Sequence, residues 1–178
     1  MKVLLHTCCG PCSIYPVSSL REEGHDLRGY FYNPNIHPFT EFQKRLETLS
    51  KYAESVELPV IIDEGYELDE FLRQAAFREG ERCRSCYAMR LRRAAQVAKK
   101  GNYEAFTSTL LVSPFQKHQL ITDIGNAIGE ELGIPFLYRD FRPGYQGAVQ
   151  ISKAEGMYRQ QYCGCIYSER DRYRPKKK

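Results

Sequence analysis

Seven cysteines dominate the chemistry that this chain of 178 residues could perform, and they occur in three groups. A thiolate can act as a nucleophile, exchange with a disulfide or bind a soft metal ion. The first group lies in LLHTCCGPCS at residues 4–13, the second in RCRSCYAMR and the third in QYCGCIYS. The complete set is Cys8, Cys9, Cys12, Cys83, Cys86, Cys163 and Cys165.

Three uses of these cysteines compete. The CGPC string from Cys9 to Cys12 matches the thioredoxin active site and suggests a dithiol reductase, although that motif normally follows a tryptophan and this chain has none. The two CxxC pairs, Cys9/Cys12 and Cys83/Cys86, supply the four thiolates of a structural zinc site, as in a zinc-stabilised RNA-binding module. An iron–sulfur cluster also takes four thiolates.

Both metal interpretations leave three cysteines over. Four cysteine ligands with three further cysteines suggest a redox centre beside an open metal site. A catalytic metal has fewer protein ligands and a free position for substrate. We expect Cys83 and Cys86 to bind the cluster together with one cysteine from each of the other groups. Since Cys8 and Cys9 are adjacent and should point in different directions, we expect them to be split between the two metals.

Hydrophobic periodicity predicts the elements that position these cysteines. Apolar runs predict strands over residues 2–6, 26–32, 59–63, 103–111 and 135–138. Helices are predicted after Thr40 as N-cap, from about Cys86 to Lys100 with its arginines outward, and from about His118 to Leu132. This alternation predicts an α/β fold, a mostly parallel sheet with helices on both faces. Ligands should then lie at the carboxyl ends of the strands.

Length and composition predict one metal-binding catalytic domain over residues 1–178. No apolar run is long enough for a signal-peptide core or a membrane span, so we expect a cytoplasmic protein with no membrane partner. Cytoplasmic thiols are kept reduced, which disfavours a disulfide framework. The net charge of +4 is mild, but basic residues cluster at 82–93 and in the tail at 172–178, which is typical of a polyanion partner.

Five segments carry a resemblance to a known family: LLHTCCGPCS, YNPNIHP, RCRSCYAMRL, TLLVSPFQKH and YRDFRPGYQGAVQISKAEGMYRQQYCGCIYS. In this order, between about Lys2 and Ser168, they resemble the QueH family of epoxyqueuosine reductases. The resemblance implies that the chain removes the epoxide oxygen of epoxyqueuosine at the wobble position of a tRNA anticodon. It also implies that the reaction uses two electrons and two protons and yields queuosine.

The strand and helix layout also resembles the nucleotide-alpha-hydrolase superfamily, a HUP or PP-loop-like architecture of the Rossmann type, here with a Cys-rich helical C-terminal part. CCGPCS replaces the SGGxDS phosphate loop of that superfamily, so ATP hydrolysis is disfavoured. The expected cofactors are a 4Fe-4S cluster and a second metal ion, for which we expect iron. No flavin or dinucleotide fingerprint appears, so we expect an external electron donor of the ferredoxin or flavodoxin type.

The other candidate residues lie near the predicted strand ends or in the two basic clusters. Asp140 is the candidate carboxylate ligand or proton donor, with a surface salt bridge to Arg139 or Arg142 as the alternative. His6 and His118 could donate protons or contact phosphates, but we favour structural roles for both. A tRNA carrying epoxyqueuosine would be recognised by stacking and basic contacts. The candidate contacts are Arg90, Arg92, Arg93, Tyr138, Lys176, Lys177 and Lys178, with Tyr32, Phe115, Phe141 and Tyr145 as further aromatic candidates.

Overall fold

The computed structural model of the chain describes residues 1–175, so the expected RNA contacts Lys176, Lys177 and Lys178 lie outside the described residues. At its centre is an all-parallel sheet with the strand order β3-β2-β1-β4. The strands are β1 (Lys2–Thr7), β2 (Asp26–Tyr32), β3 (Val60–Asp63) and β4 (Ala105–Ser108). The apolar run Val3 to Leu5 of β1 is completely buried, as expected for a central parallel strand covered on both faces.

Helices connect and cover the strands. Within residues 1–175 they are α1 (Gly10–Glu22), α2 (Phe39–Ser55), α3 (Leu68–Ala75), α4 (Arg82–Lys100), α5 (His118–Leu132), α6 (Tyr145–Ala154) and α7 (Ile166–Tyr173). Helix α1 packs against α2 and α6, and α4 packs against α5. The predicted α/β class with a parallel, Rossmann-like sheet is confirmed. None of the helices described is both long and apolar enough to cross a membrane.

Several predicted boundaries were wrong. Helix α2 begins at Phe39 after Pro38, so Thr40 is inside the helix and does not cap it. Helix α4 begins at Arg82 and therefore contains the whole second cysteine group. Strand β4 ends at Ser108, because the chain turns there into a short 3-10 helix over Thr109–Val112.

The chain segment at residues 135–138 forms only a single bridge, between Phe136 and Phe106, in place of the predicted fifth strand. By contrast, α5 has the predicted bounds. It ends at Gly133, whose φ of 67° lies in the left-handed region that glycine adopts without strain. The carboxyl ends of β1, β2 and β4 lead into TCCGPCS, YNPNIHP and TLLVSPFQKH, so these three loops share one edge of the sheet.

Candidate metal centres

Cys8, Cys9 and Cys12 form a compact group, here called the three-thiol cluster, where β1 ends and α1 begins. Their sulfur atoms all lie within 4.8 Å of one another, and the Sγ atoms of Cys8 and Cys9 are 3.8 Å apart. The expectation that these adjacent side chains point apart was wrong, because the chain leaves the strand here and both sulfurs approach Cys12. Gly10 permits the close approach of this turn to α2, since a Cβ there would lie 2.9 Å from the Thr48 carbonyl oxygen.

Polar side chains from distant segments contact the sulfurs of the three-thiol cluster. The Thr109 hydroxyl accepts a hydrogen bond from the Cys8 backbone N–H at 3.1 Å and donates to Cys8 Sγ at 3.4 Å. Gln160 Nε2 donates to Cys12 Sγ at 3.1 Å, and Gln160 Oε1 accepts from the Cys9 thiol at 3.4 Å. Contacts of this kind orient thiol ligands and tune a bound metal.

The three thiols have divergent proton affinities. Hydrogen bonds from Cys12 and Cys9 hold the pKa of Cys8 well below its usual range. Burial raises the pKa of Cys9, and hydrogen bonding to Cys8 and Cys9 raises the pKa of Cys12. The arrangement therefore favours one thiolate stabilised by two thiols, and a metal bound by all three sulfurs would displace the remaining protons.

The other four cysteines, Cys83, Cys86, Cys163 and Cys165, line a second site, here called the four-cysteine cavity, of about 160 Å³. Cys83 and Cys86 are on one face of α4 at its first turn, because residues three apart are neighbours on a helix. The other two precede α7 and flank Gly164, whose φ of +154° favours glycine. Among the described residues that line this cavity, none belongs to the three-thiol cluster, contrary to the expected mixing of the groups.

Arg45 fixes the loop that carries the third cysteine group. It is 1% exposed, and its Nη1 and Nη2 donate to the carbonyl oxygens of Cys163 and Tyr162 at 2.8 and 2.9 Å. Its Nε donates to Glu41 Oε1 at 2.7 Å, so the buried cation is paired within α2. The apolar stripe predicted for α2 does not include these two charged residues. The spacing of Glu41 and Arg45, four residues apart, was the signal that could have found this pair.

The YNPNIHP loop after β2 contacts the same cysteine loop. The backbone N–H of His37 donates to the Gly164 carbonyl at 2.8 Å, and His37 Nδ1 accepts from the Ile166 N–H at 3.1 Å. The Tyr162 hydroxyl also donates to the His37 carbonyl. The third cysteine group is therefore positioned by side chains and backbone from two separate parts of the chain.

Arg90 lines the four-cysteine cavity and is only 2% exposed, so the expectation that the arginines of α4 face outward was wrong for this residue. Its Nε donates to Asn35 Oδ1 at 2.9 Å, while Asn35 Nδ2 is buried with no partner in the described chain. No salt bridge to Arg90 is found within residues 1–175. A buried cation without a carboxylate is costly, so this cavity favours an anionic occupant.

Two thiols of the four-cysteine cavity, those of Cys83 and Cys86, have a raised pKa, which favours their protonated form. Burial raises the pKa of Cys86 to about 11, against an opposing effect of Arg90, and burial also raises the pKa of Cys83. Gln116 Nε2 donates to Cys163 Sγ at 3.1 Å, and its Oε1 accepts from the Tyr87 hydroxyl at 2.6 Å. Metal binding in this cavity would also release protons.

The structure favours the surface ion pair for Asp140. Its exposed carboxylate accepts from Arg142 Nε and Nη2 at 2.8 and 2.6 Å. These hydrogen bonds lower the pKa of Asp140 to about 2, so it carries no proton to donate near neutral pH. Asp140 lines neither the four-cysteine cavity nor the cavity beside Cys12, so its role as carboxylate ligand or proton donor stays a prediction.

The remaining candidates divide between surface and interior. Arg92 pairs with Glu131 at 2.5 Å and Arg93 with Asp63 at 3.2 Å, both on the surface, and Tyr138 is exposed. His6 is buried, and its Nε2 contacts the Tyr32 carbonyl at 3.1 Å. Because a carbonyl can only accept, Nε2 carries the proton, and Nδ1 is left to accept from the Ser108 hydroxyl at 2.8 Å. Burial lowers the pKa of His6 to about 4, which agrees with a neutral structural histidine.

A Rossmann-like sheet whose loops gather two groups of thiols defines an α/β protein that could bind metal ions through cysteine. The chain belongs to the QueH family of epoxyqueuosine reductases, since the family described as "Epoxyqueuosine reductase QueH" matches residues 3–171. The protein is therefore an enzyme, an oxidoreductase, and the resemblance found in the sequence is confirmed. Family membership favours the epoxyqueuosine reductase over the alternatives of a thioredoxin-like dithiol reductase and a zinc-stabilised RNA-binding module.

Relatives named epoxyqueuosine reductase QueH are similar to this chain over nearly its full length. The protein from Dehalococcoides mccartyi is 41% identical over 172 residues, which cover 97% of this chain and 94% of the relative. The protein from Thermotoga maritima is 38% identical over 176 residues, covering 93% and 89%. The protein from Acinetobacter baylyi is 38% identical over 178 residues, covering 96% and 81%.

Proposed function

We propose that this protein reduces epoxyqueuosine to queuosine at the wobble position of a tRNA anticodon, using a 4Fe-4S cluster and a second metal ion, iron. In this proposal the four-cysteine cavity binds the cluster and the three-thiol cluster binds the single ion. The observation that carries the proposal is the separation of the seven cysteines into a group of four around a cavity and a compact group of three.

The chemistry of the four-cysteine cavity suits an iron–sulfur cluster. Four thiolates are the usual ligand set of a 4Fe-4S cluster, and hydrogen bonds to sulfur help to set its reduction potential. Gln116 supplies such a bond to Cys163. The buried guanidinium of Arg90, which has no carboxylate partner in the described chain, would compensate the negative charge of four thiolates and their cluster.

The spacing of the three-thiol cluster suits one ion. Metal–thiolate bonds of about 2.3 Å in tetrahedral geometry place two sulfurs about 3.8 Å apart, and the Cys8 and Cys9 sulfurs are separated by 3.8 Å. Three protein ligands leave a fourth position open, which is the arrangement of a catalytic metal site. Thr109 and Gln160 would keep the sulfurs in place through their hydrogen bonds.

The reaction breaks both C–O bonds of the epoxide and forms a carbon–carbon double bond. Two electrons and two protons are consumed, and the oxygen leaves as water. When bound, the cluster would supply single electrons and the second metal would act as a Lewis acid toward oxygen. The electrons would come from an external donor of the ferredoxin or flavodoxin type.

A small cavity of about 60 Å³ beside Cys12 is the place where the substrate would approach the three-thiol cluster. Its walls include the side chains of Tyr145, Ser152, Arg159 and Gln160. These groups provide donors and acceptors for a hydroxylated ring, and the apolar wall from Pro11 and Val112 would exclude water.

Anaerobic metal analysis combined with a conversion assay tests this proposal. The reconstituted protein is incubated with chemical reductant and an anticodon stem-loop that contains epoxyqueuosine, and the nucleosides are analysed by mass spectrometry. We expect roughly five irons and four sulfides per chain, together with conversion to queuosine. One zinc with no sulfide, or an iron-loaded protein that leaves the epoxide intact, would contradict the proposal.

A further inference from the structure

Two aromatic side chains that are close to each other line the cavities beside the two cysteine sites. Phe115, in the loop after β4, lines the four-cysteine cavity although its side chain is 83% exposed. Its ring centroid is 6.1 Å from that of Tyr145, and the two rings are nearly perpendicular at 83°. Tyr145 begins α6 and lines the small cavity beside Cys12. This Phe115/Tyr145 pair therefore joins the entrances of both cavities.

One cation lines each of the two cavities that the Phe115/Tyr145 pair borders. Lys117 lines the four-cysteine cavity and Arg159 lines the small cavity beside Cys12. Neither forms a salt bridge with a carboxylate within residues 1–175, whereas Arg82, at the same cavity, is paired with Asp171 at 2.6 Å. The pair is thus flanked by two cations that remain available to an anionic partner.

An exposed aromatic ring flanked by cations fits single-stranded nucleic acid. Unpaired bases stack on aromatic side chains, and Lys and Arg meet the phosphates that link them. A surface that served only a small nucleoside would not require cations on both sides of the rings. A docking site for an acidic electron-transfer protein would use the charges but would gain little from a free aromatic face.

We propose that the Phe115/Tyr145 pair is a stacking platform for unpaired anticodon-loop nucleotides, with Lys117 and Arg159 contacting their phosphates. This proposal rests on the proposed function for the identity of the RNA. Stacking on this platform would hold the nucleotides next to the modified base at the entrances of both cavities. The modified base itself would then reach the cavity beside Cys12.

Substitution of Phe115 tests the platform in the metal-loaded protein. The ligand is an anticodon stem-loop with 2-aminopurine beside the wobble position, because stacking quenches the fluorescence of this base analogue. We expect wild type to quench the probe, and F115A to lose the quenching and to bind roughly 5- to 150-fold more weakly. F115W should retain both properties.

F77A is the matched control. Phe77 is 99% exposed and lines neither cavity, so its loss should leave quenching and binding unchanged. Equal iron content and equal unfolding midpoints of F115A and wild type establish that the substitution leaves the fold intact. If F115A binds and quenches as wild type does, the stacking platform is wrong.

Three further outcomes separate this inference from its alternatives. If F115A binds RNA normally but is reduced more slowly by flavodoxin than by chemical reductant, the surface contacts the electron donor and the proposal is overturned. If wild type quenches the probe but does not reduce epoxyqueuosine, the proposed function fails while the platform stands. If wild type reduces the RNA and F115A has the same kcat/KM, the platform alone fails.

Discussion

The three-thiol cluster and the four-cysteine cavity differ in how their ligands are brought together. Cys8, Cys9 and Cys12 come from one turn, and their sulfurs are already within 4.8 Å of one another. The four-cysteine cavity combines α4 with a loop about 80 residues further along the chain, positioned by Arg45 and His37. A local turn thus preforms the first site, whereas the second depends on tertiary structure.

The same difference distinguishes the occupants we propose. Within residues 1–175 the three-thiol cluster is the one group of cysteines whose sulfurs approach within single-ion distance. The other four surround a cavity of about 160 Å³, which suits a larger inorganic group. Metal loading of the four-cysteine cavity should therefore be coupled to ordering of the loop before α7, because binding energy is spent on assembling the ligands.

Replacing a cysteine of α4 should have the largest effect. We expect Cys83→Ala and Cys86→Ala each to lose the visible absorption of the cluster, roughly four irons per chain and all activity. The three-thiol cluster should keep its iron, because none of its residues lines the four-cysteine cavity. Absorption spectra and iron analysis check this. A variant with a full cluster would remove that residue from the ligand set.

Cys12→Ala should separate the two sites in the opposite direction. We expect loss of roughly one iron and of turnover, with the cluster absorption retained, because the remaining two thiols provide a weaker ion site. Iron and sulfide analysis of the purified variant measures both quantities. Cys12→Ala protein that lacks sulfide would show that the two sites share ligands.

Arg45→Met should destabilise the four-cysteine cavity indirectly, because Arg45 holds the loop that carries Cys163 and Cys165. The substitution removes two hydrogen bonds to the cysteine loop and leaves Glu41 buried without its cation, which should cost about 3–5 kcal/mol of unfolding free energy. The 4Fe-4S content of the four-cysteine cavity should fall more than the iron content of the three-thiol cluster. Urea unfolding and iron analysis report the two effects.

Arg92→Met is the control for Arg45→Met. Arg92 also pairs with a glutamate, but on the surface, so its loss should change the unfolding free energy much less than the loss of Arg45 does. Equal destabilisation of the two variants would contradict the specific role of the buried arginine.

Removal of Lys176, Lys177 and Lys178 should have the smallest effect. These residues lie outside the described structure, and the prediction follows from their charge alone. We expect modestly weaker tRNA binding and a salt-dependence slope reduced by up to about 2, from roughly 0.7 per phosphate contact on single strands. Binding at several salt concentrations measures the slope. An unchanged slope would assign the tail to solubility.

Local patterns predicted much of the fold. The bounds of β2 and α5 follow from apolar periodicity and a terminal glycine, both of which are properties of neighbouring residues. The prediction of a strand at 135–138 was wrong, because an apolar run does not show whether the neighbouring strand can pair with it over its full length. The predicted start of α4 was wrong because the polar segment RCRSC has no hydrophobic periodicity.

The site was predicted in content but not in arrangement. Residue type and count identified all seven cysteines as candidate ligands, and their distribution between two sites required the tertiary contacts that bring α4 to residues 163–165. The burial of Arg90 has the same cause, since a charged residue on a helix is normally predicted to face solvent. Gln116 and Gln160 had no distinguishing signal in the sequence, because their role appears only when each contacts a sulfur.

The distribution of iron between the two sites is the central claim, and Mössbauer spectroscopy of protein reconstituted with 57Fe tests it most directly. We predict that wild type shows a cluster component and a mononuclear component in a ratio of about four to one. Cys12→Ala should keep only the cluster component, and Cys83→Ala only the mononuclear one. Loss of the cluster component in Cys12→Ala would contradict the account.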